Sequence, residues 1–279
     1  MVGGAGRDRG LARGLPRLRA AAAPGRREVL VIRPALRGLV HLWPVLLVLV
    51  AWDLWVVLNG YTATVAPRPW PVVGDVVLGV VDYLPSVGYT LGVALVGLVG
   101  GTAIGFAAAV LVWSSTAVAG VVTPAALIIR SVPITAMIPI IARIVGYGDP
   151  AVITSTVLIC FFPAFVFTLS GLTSIPSAGR DLFAVLGAGK VQVLRRLGVL
   201  HALPQLMVSV RITAPTAVLG AMLAEFLMGA HGLGALFSES RSYMDMERSW
   251  GVALVATVLS VLVFLAARGL ERRVVARVG

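Results

Sequence analysis

Charge is scarce in this sequence. Only 13% of its 279 residues are Asp, Glu, Lys or Arg, about half the share usual in soluble domains. With a mean hydropathy of +0.96, that scarcity excludes an ordinary soluble globular protein. The length leaves room for several membrane spans and a tail, but not for a separate soluble catalytic domain. Cysteine is nearly absent: Cys160 stands alone in the apolar run VLICFF, so no internal disulfide forms, and it reads as a small buried hydrophobe. Histidine is equally sparse. His41, His201 and His231 are far apart and share no metal-ligand spacing, so no metal site is expected. No strand-like run precedes the glycines of residues 97–105 and no Lys-Ser/Thr follows them, so they are not a nucleotide loop.

Two function classes lose support through such absences. A membrane-bound enzyme of lipid or cell-wall metabolism needs His, Asp or Glu clustered at one membrane face, and no such cluster is visible. A proton-coupled secondary transporter calls for repeated halves and relay carboxylates; no repeat is evident, and Asp53 lacks a relay partner. The net charge of +11 does not indicate nucleic acid either, because the basic residues flank apolar runs rather than interleave with aromatics.

What the sequence does contain is long apolar runs. Spanning a hydrocarbon core of about 30 Å takes about 20 mainly apolar residues. Six candidates meet that need: 39–58, 88–113, 118–145, 151–172, 205–228 and 250–267. An all-α membrane protein of about six transmembrane helices is therefore expected. Residues 1–38 hold nine arginines from Arg7 to Arg37 against Asp8 and Glu28, the composition of a disordered, cytoplasm-retained tail rather than a signal peptide. Residues 39–87 supply the first span and an external segment with an interfacial helix over 72–83. Residues 88–268 form a core of five spans, and 269–279 a basic cytoplasmic tail. Alternation from an inside N-terminus puts Arg180, Lys190, Arg195 and Arg196, and the arginines after 267, in the cytoplasm. Asp75, Asp82, Asp149, Glu239, Asp245 and Glu247 then fall outside. Charge and alternation agree. The stretch 118–145, with three prolines and with Arg130 and Arg143, reads as a broken or tilted helix.

Several residues inside the spans invite a role. Gly97, Gly101 and Gly105 bare one helix face at four-residue spacing, which suits close helix packing. Glu225 is costly in lipid and so is either part of a pathway or a buried hydrogen-bonding group near the outer end. Arg130, Arg143 and Arg211 offer positive charge to an anionic solute, or else snorkel to a surface.

The connection between spans four and five, residues 177–204, is too amphipathic for a linker. Two short helical patterns meet at Gly187 and Gly189. Leu182, Val185 and Leu186 carry the first, and Val193, Leu194 and Leu197 the second, with Lys190, Arg195 and Arg196 toward the polar side. A helical hairpin of this kind suits docking into a partner's groove.

This segment resembles the cytoplasmic signature loop of permease subunits of ATP-binding-cassette (ABC) importers, patterned E-A-A-x3-G-x9-I-x-L-P. Asp181 stands at the Glu position, Gly187 at the glycine and Leu197 at the Ile. Leu182 and Phe183 replace the two alanines, Val199 the Leu and Leu200 the proline, while Pro204 is similar to a second proline of the nitrate/sulfonate/taurine branch. Residues 224–230 (AEFLMGA) followed by Gly232-Leu233-Gly234, and the closing RGLERRV of 268–274, resemble that branch too. The likeness covers roughly residues 85–275.

The resemblance implies a type I importer permease (MetI-like) architecture with a cytoplasmic coupling helix pair. It implies a multi-pass protein of the bacterial inner membrane with both termini in the cytoplasm. The expected partners are an ATPase dimer, a second permease subunit and an extracytoplasmic solute-binding protein. No cofactor is bound by this chain; ATP and Mg belong to the partner ATPase. The solute would be small and anionic or zwitterionic, sulfonate-, taurine- or nitrate-like or a thiamine precursor. Asp181, Ala184, Gly187, Lys190, Leu194, Arg195, Leu197 and Pro204 would couple to the ATPase, with Gly187 making a sharp turn and Asp181 near a helix N-terminus. Glu225, Arg130, Arg211, Gly232 and Gly234 are the pathway or structural candidates.

Overall fold

The computed structural model describes residues 28–229 and 231–278, with side chains from 43 onward except at 129, 130 and 278. Among the described residues the secondary structure is entirely helical. Most of the basic tail, residues 1–27, lies outside them, as does Ala230.

Helix α1 (Glu28–Leu58) starts ahead of Leu39, where the apolar run begins. The chain divides into two units after Ala51, within this helix. In the first unit Trp43, Leu46 and Val48 are exposed, as expected for side chains that face lipid or another helix.

The second unit opens with the end of α1 and a turn held by Arg68, which donates to both oxygens of Asp53 at 2.8 and 2.9 Å. Helix α2 (Pro69–Leu78) begins on a proline, whose fixed φ and missing N–H suit the first helical position. Gly79 then separates it from α3 (Val80–Ser114). The expected interfacial helix over 72–83 is thus shorter, because residues 80–83 already belong to the next span.

The expected third span is two helices, α4 (Thr116–Ser131) and α5 (Ile134–Val145). Val132 between them is extended, at φ −82° and ψ 129°. A proline at 133 clashes with a helical residue before it, so the chain breaks there, whereas Pro124 and Pro139 are carried inside helices. Helix α6 (Asp149–Thr173) follows the Gly146–Pro150 turn. Then come α7 (Ser177–Val185), α8 (Lys190–Val193) and a π-helical turn at Leu194–Gly198 that leads without interruption into α9 (Val199–Met228). The fifth span therefore starts well before Gln205, and Pro204 lies inside it. Helices α10 (Gly232–Ser242) and α11 (Met246–Val278) complete the chain.

Four helices, Val80–Ser114, Asp149–Thr173, Lys190–Met228 and Met246–Arg277, are long and apolar enough to cross a bilayer. Their buried faces are built of small residues. Ala94, Cys160, Ala214, Ala217 and Ala221 join Val93, Leu98, Val152 and Val218 in the main cluster, so backbones approach closely where lipid gives no hydrophobic drive. Helix α6 packs on both α3 and α9, and α11 packs on α9. Outward-facing Val96, Val99, Val258, Val261, Leu262 and Leu265 are exposed, apolar surface that a bilayer or another subunit makes tolerable.

Candidate functional site

The two ends of the bundle have opposite chemical character. At one end Tyr89 of α3 donates to Asp149 at the start of α6. Tyr83 donates to Asp75, and the Arg248 guanidinium lies over the Tyr83 ring, 5.7 Å from its centroid. At the other end Lys190 of α8 donates to the carbonyl of Ser114, the last residue of α3, at 3.2 Å. Acids collect at the first end and Arg180, Lys190, Arg195 and Arg196 at the second, which orients the second end toward the cytoplasm.

Near the outer end Glu225 is fully buried. Its Oε2 accepts from Thr90 Oγ1 at 2.8 Å and from the Gly234 N–H at 3.0 Å, while the Thr90 oxygen accepts from the Leu233 N–H at 2.9 Å. The first N–H groups of α10 have no partner within their own helix, and these two side chains take up two of them, those of Leu233 and Gly234. One carboxylate from α9 and one hydroxyl from α3 thereby pin the chain reversal into α10. Gly232 has φ +92°, and a side chain there would overlap the Glu225 carboxylate. At Gly234 a side chain would meet the Phe226 N at 2.5 Å. The Glu225 carboxylate thus accepts hydrogen bonds from both α3 and the start of α10. Its Oε1 has no partner among the described residues. Thr90 carries no sequence signal that sets it apart, since Thr102 lies in the same apolar span.

The glycine row forms the seam between α3 and α6. A Cβ on Gly101 would lie 2.5 Å from the Cβ of Cys160, and one on Gly105 would lie 2.7 Å from the Phe161 carbonyl oxygen; Gly97 faces Thr156 as tightly. These distances are far inside van der Waals contact, so only glycine permits this approach.

At the cytoplasmic end α7 and α8 are joined by a turn in which Gly187 has φ +68°, a left-handed conformation that costs other residues energy. Around it Leu182, Val185 and Leu186 are exposed at 57%, 85% and 71%. Asp181 sits mid-helix rather than in the first turn of α7, so the expected N-terminal position is not the one it occupies. Leu197 lies 3.3 Å from where a Cβ of Gly179 would stand, and Leu194 equally near one on buried Gly198. Both leucines brace the hairpin from within. Arg195 and Arg196 remain exposed on the π-helical turn.

The arginines divide. Arg211 is committed: its Nη1 donates to both oxygens of Glu271 at 3.2 and 3.0 Å, tying α9 to α11. Its charge is therefore balanced by Glu271. Arg143 is exposed in the last turn of α5. The side chain of Arg130 is outside the described residues. Among those described, no group of three or more His, Cys, Asp or Glu residues is placed to hold a metal ion.

Long apolar helices with a basic hairpin between them define the class of polytopic membrane proteins. Residues 101–278 match the family described as binding-protein-dependent transport system inner membrane component, and the chain belongs to that family. It is 30% identical over 260 residues to the riboflavin transport system permease protein RibX of Chloroflexus aurantiacus, covering 88% of this chain and 95% of that one. It is 31% identical over 189 residues to the formylaminopyrimidine transport permease protein ThiX of Halalkalibacterium halodurans, covering 68% and 74%. The fold is similar to that of a chain from the inward-facing MetNI methionine ABC transporter. The TM-score is 0.60 at 24% identity, covering 71% of this chain and 96% of that one. The protein is thus an inner-membrane permease subunit of an importer, and its family is one of transport components rather than enzymes.

Proposed function

We propose that this chain crosses the membrane six times, pairs with a second permease subunit and couples to a cytoplasmic ATPase through residues 177–204. Four long helices, the Trp43–Leu58 stretch of α1 and the α4–α5 pair, each apolar, account for six crossings. In this reading residues 39–87 are a peripheral first span and external segment, 88–268 the permease core and 269–279 a cytoplasmic tail. ATP and Mg stay in the partner.

The observation that carries the coupling role is the exposed apolar face of Leu182, Val185 and Leu186 on a hairpin turned at Gly187. Water is a poor neighbour for such a face, and a groove on a partner suits it. Asp181 and Arg195 belong to the same hairpin, Leu194 and Leu197 brace it, Ala184 and Lys190 line its other side, and Pro204 follows in α9. Glu225, Gly232 and Gly234 hold the outer end of the pathway in shape. The solute is small and polar, of the pyrimidine or sulfonate kind. Relatives named for formylaminopyrimidine, riboflavin, aliphatic sulfonates and taurine support that range, and an external binding protein selects within it.

The test is co-purification from the native host in mild detergent, beside a Val185→Asp/Leu186→Asp variant, with uptake of labelled thiamine precursors and sulfonates measured in parallel. An ATPase carried by the native chain and lost with the variant, together with uptake, supports the proposal. A variant that keeps both would sink it.

A further inference from the structure

We propose that the cleft between α7 and the cytoplasmic end of α3 holds the phosphodiester headgroup of an anionic phospholipid. The inference rests on the cytoplasmic placement of residues 177–204 given above, but not on their contact with an ATPase.

The cleft measures about 230 Å³ and is lined by Trp113, Arg180, Ala184, Ala188, Lys190 and Val193. Two cations face it and no acid lines it. Arg180 makes no side-chain hydrogen bond or ion pair among the described residues. Lys190, the only lysine in the sequence, spends one donor on the Ser114 carbonyl and keeps two. A planar guanidinium fork beside an ammonium with free donors matches the oxygens of a phosphodiester.

The remaining walls are apolar, as the glycerol end of a lipid requires, and half-buried Trp113 stands one residue from the end of a span. Tryptophan favours this headgroup level. The cytoplasmic leaflet supplies anionic lipid, whose surface potential attracts juxtamembrane Lys and Arg.

Helical geometry keeps this site apart from the proposed coupling face. At about 100° per residue, Arg180 and Ala184 fall within about 40° of each other on α7. Leu182, Val185 and Leu186 point to the opposite side. One face of a nine-residue helix thus meets lipid while the other is free for a protein partner. Asp181 is turned about 100° from Arg180 and forms no ion pair with it.

The experiment uses the full chain, with whatever subunits accompany it, in nanodiscs of phosphatidylcholine with and without phosphatidylglycerol. Retained lipid is read by native mass spectrometry. Arg180→Gln/Lys190→Gln is compared with Arg272→Gln/Arg273→Gln, which removes the same charge from the exposed tail, and with the charge-preserving Arg180→Lys/Lys190→Arg. Phosphatidylglycerol affinity is expected to fall about 30-fold in the first variant, the effect of two juxtamembrane charges. It should stay near native in the other two. Equal losses in both neutralised variants would mean diffuse attraction and overturn the site. So would absence of retained phosphatidylglycerol on the native chain, or its displacement by inorganic phosphate alone. Val185→Asp/Leu186→Asp should retain lipid even where it loses the ATPase, so the two proposals fail separately.

Discussion

Thr90 and Glu225 lie 135 positions apart, yet the hydroxyl of the first donates to the carboxylate of the second at 2.8 Å in a fully buried site. The same hydroxyl oxygen accepts the Leu233 N–H, and the same carboxylate oxygen accepts the Gly234 N–H. Helices α3 and α9 and the start of α10 are joined at one point, where the backbone turns back on itself beside the acidic end of the bundle.

Thr90→Val is expected to destabilise the detergent-purified protein by about 1–3 kcal/mol, because it leaves the Leu233 N–H buried without a partner. Glu225→Ala should cost more, since it orphans two donors and opens a void. Thermal unfolding of both singles and the double variant should show a coupling of roughly 0.5–3 kcal/mol. Strict additivity would mean that the two residues do not act as a unit.

The α3–α6 seam predicts opposite responses at two glycines of one helix. Gly101→Ala places a methyl 2.5 Å from Cys160 and should destabilise by about 1–3 kcal/mol. Gly92→Ala meets nothing within 4 Å and should be neutral or stabilise by up to about 1 kcal/mol. Unfolding midpoints of the two variants, measured side by side, decide the matter; a reversed order would refute the seam.

Gly187→Ala meets no steric obstacle, but its φ of +68° should cost about 1–2 kcal/mol. Gly187→Asn should be milder, because Asn visits that region more readily. Substrate-stimulated ATP hydrolysis of the assembled transporter is expected to rank native, Asn, Ala. Full activity of the Ala variant would show that the turn conformation is dispensable.

Arg211 and Glu271 should be more damaging singly than together. The Glu271 side chain is 13% exposed, so Arg211→Ala leaves a mostly buried carboxylate without its partner and should cost roughly 1–3 kcal/mol. Exchanging the pair, Arg211→Glu with Glu271→Arg, should recover part of that loss in thermal unfolding. No recovery would mean that the ion pair is incidental.

Much of this architecture is legible in the chain because the bilayer imposes it. Apolar length reports a crossing and basic residues report the cytoplasmic side, both through solvation of single residues. The glycine spacing and the Gly187–Gly189 break are equally local signals. Helix ends were less accessible. Pro124, Pro133 and Pro139 are alike as letters, and only Pro133 divides the helices. Pro204, with its place in the resemblance, marked a boundary that the helix runs straight through.

Partner choice was not legible at all. That Arg211 pairs with Glu271, and Glu225 with Thr90 and the α10 backbone, is visible only in the fold. Hydropathy and charge are sums over neighbours in sequence, so the sequence by itself determined the membrane class and singled out residues 177–204 as a candidate coupling segment. Hydrogen bonds across 60 or 135 positions depend on which helix faces meet, and that is decided only when small-residue seams bring α3, α6, α9 and α11 together.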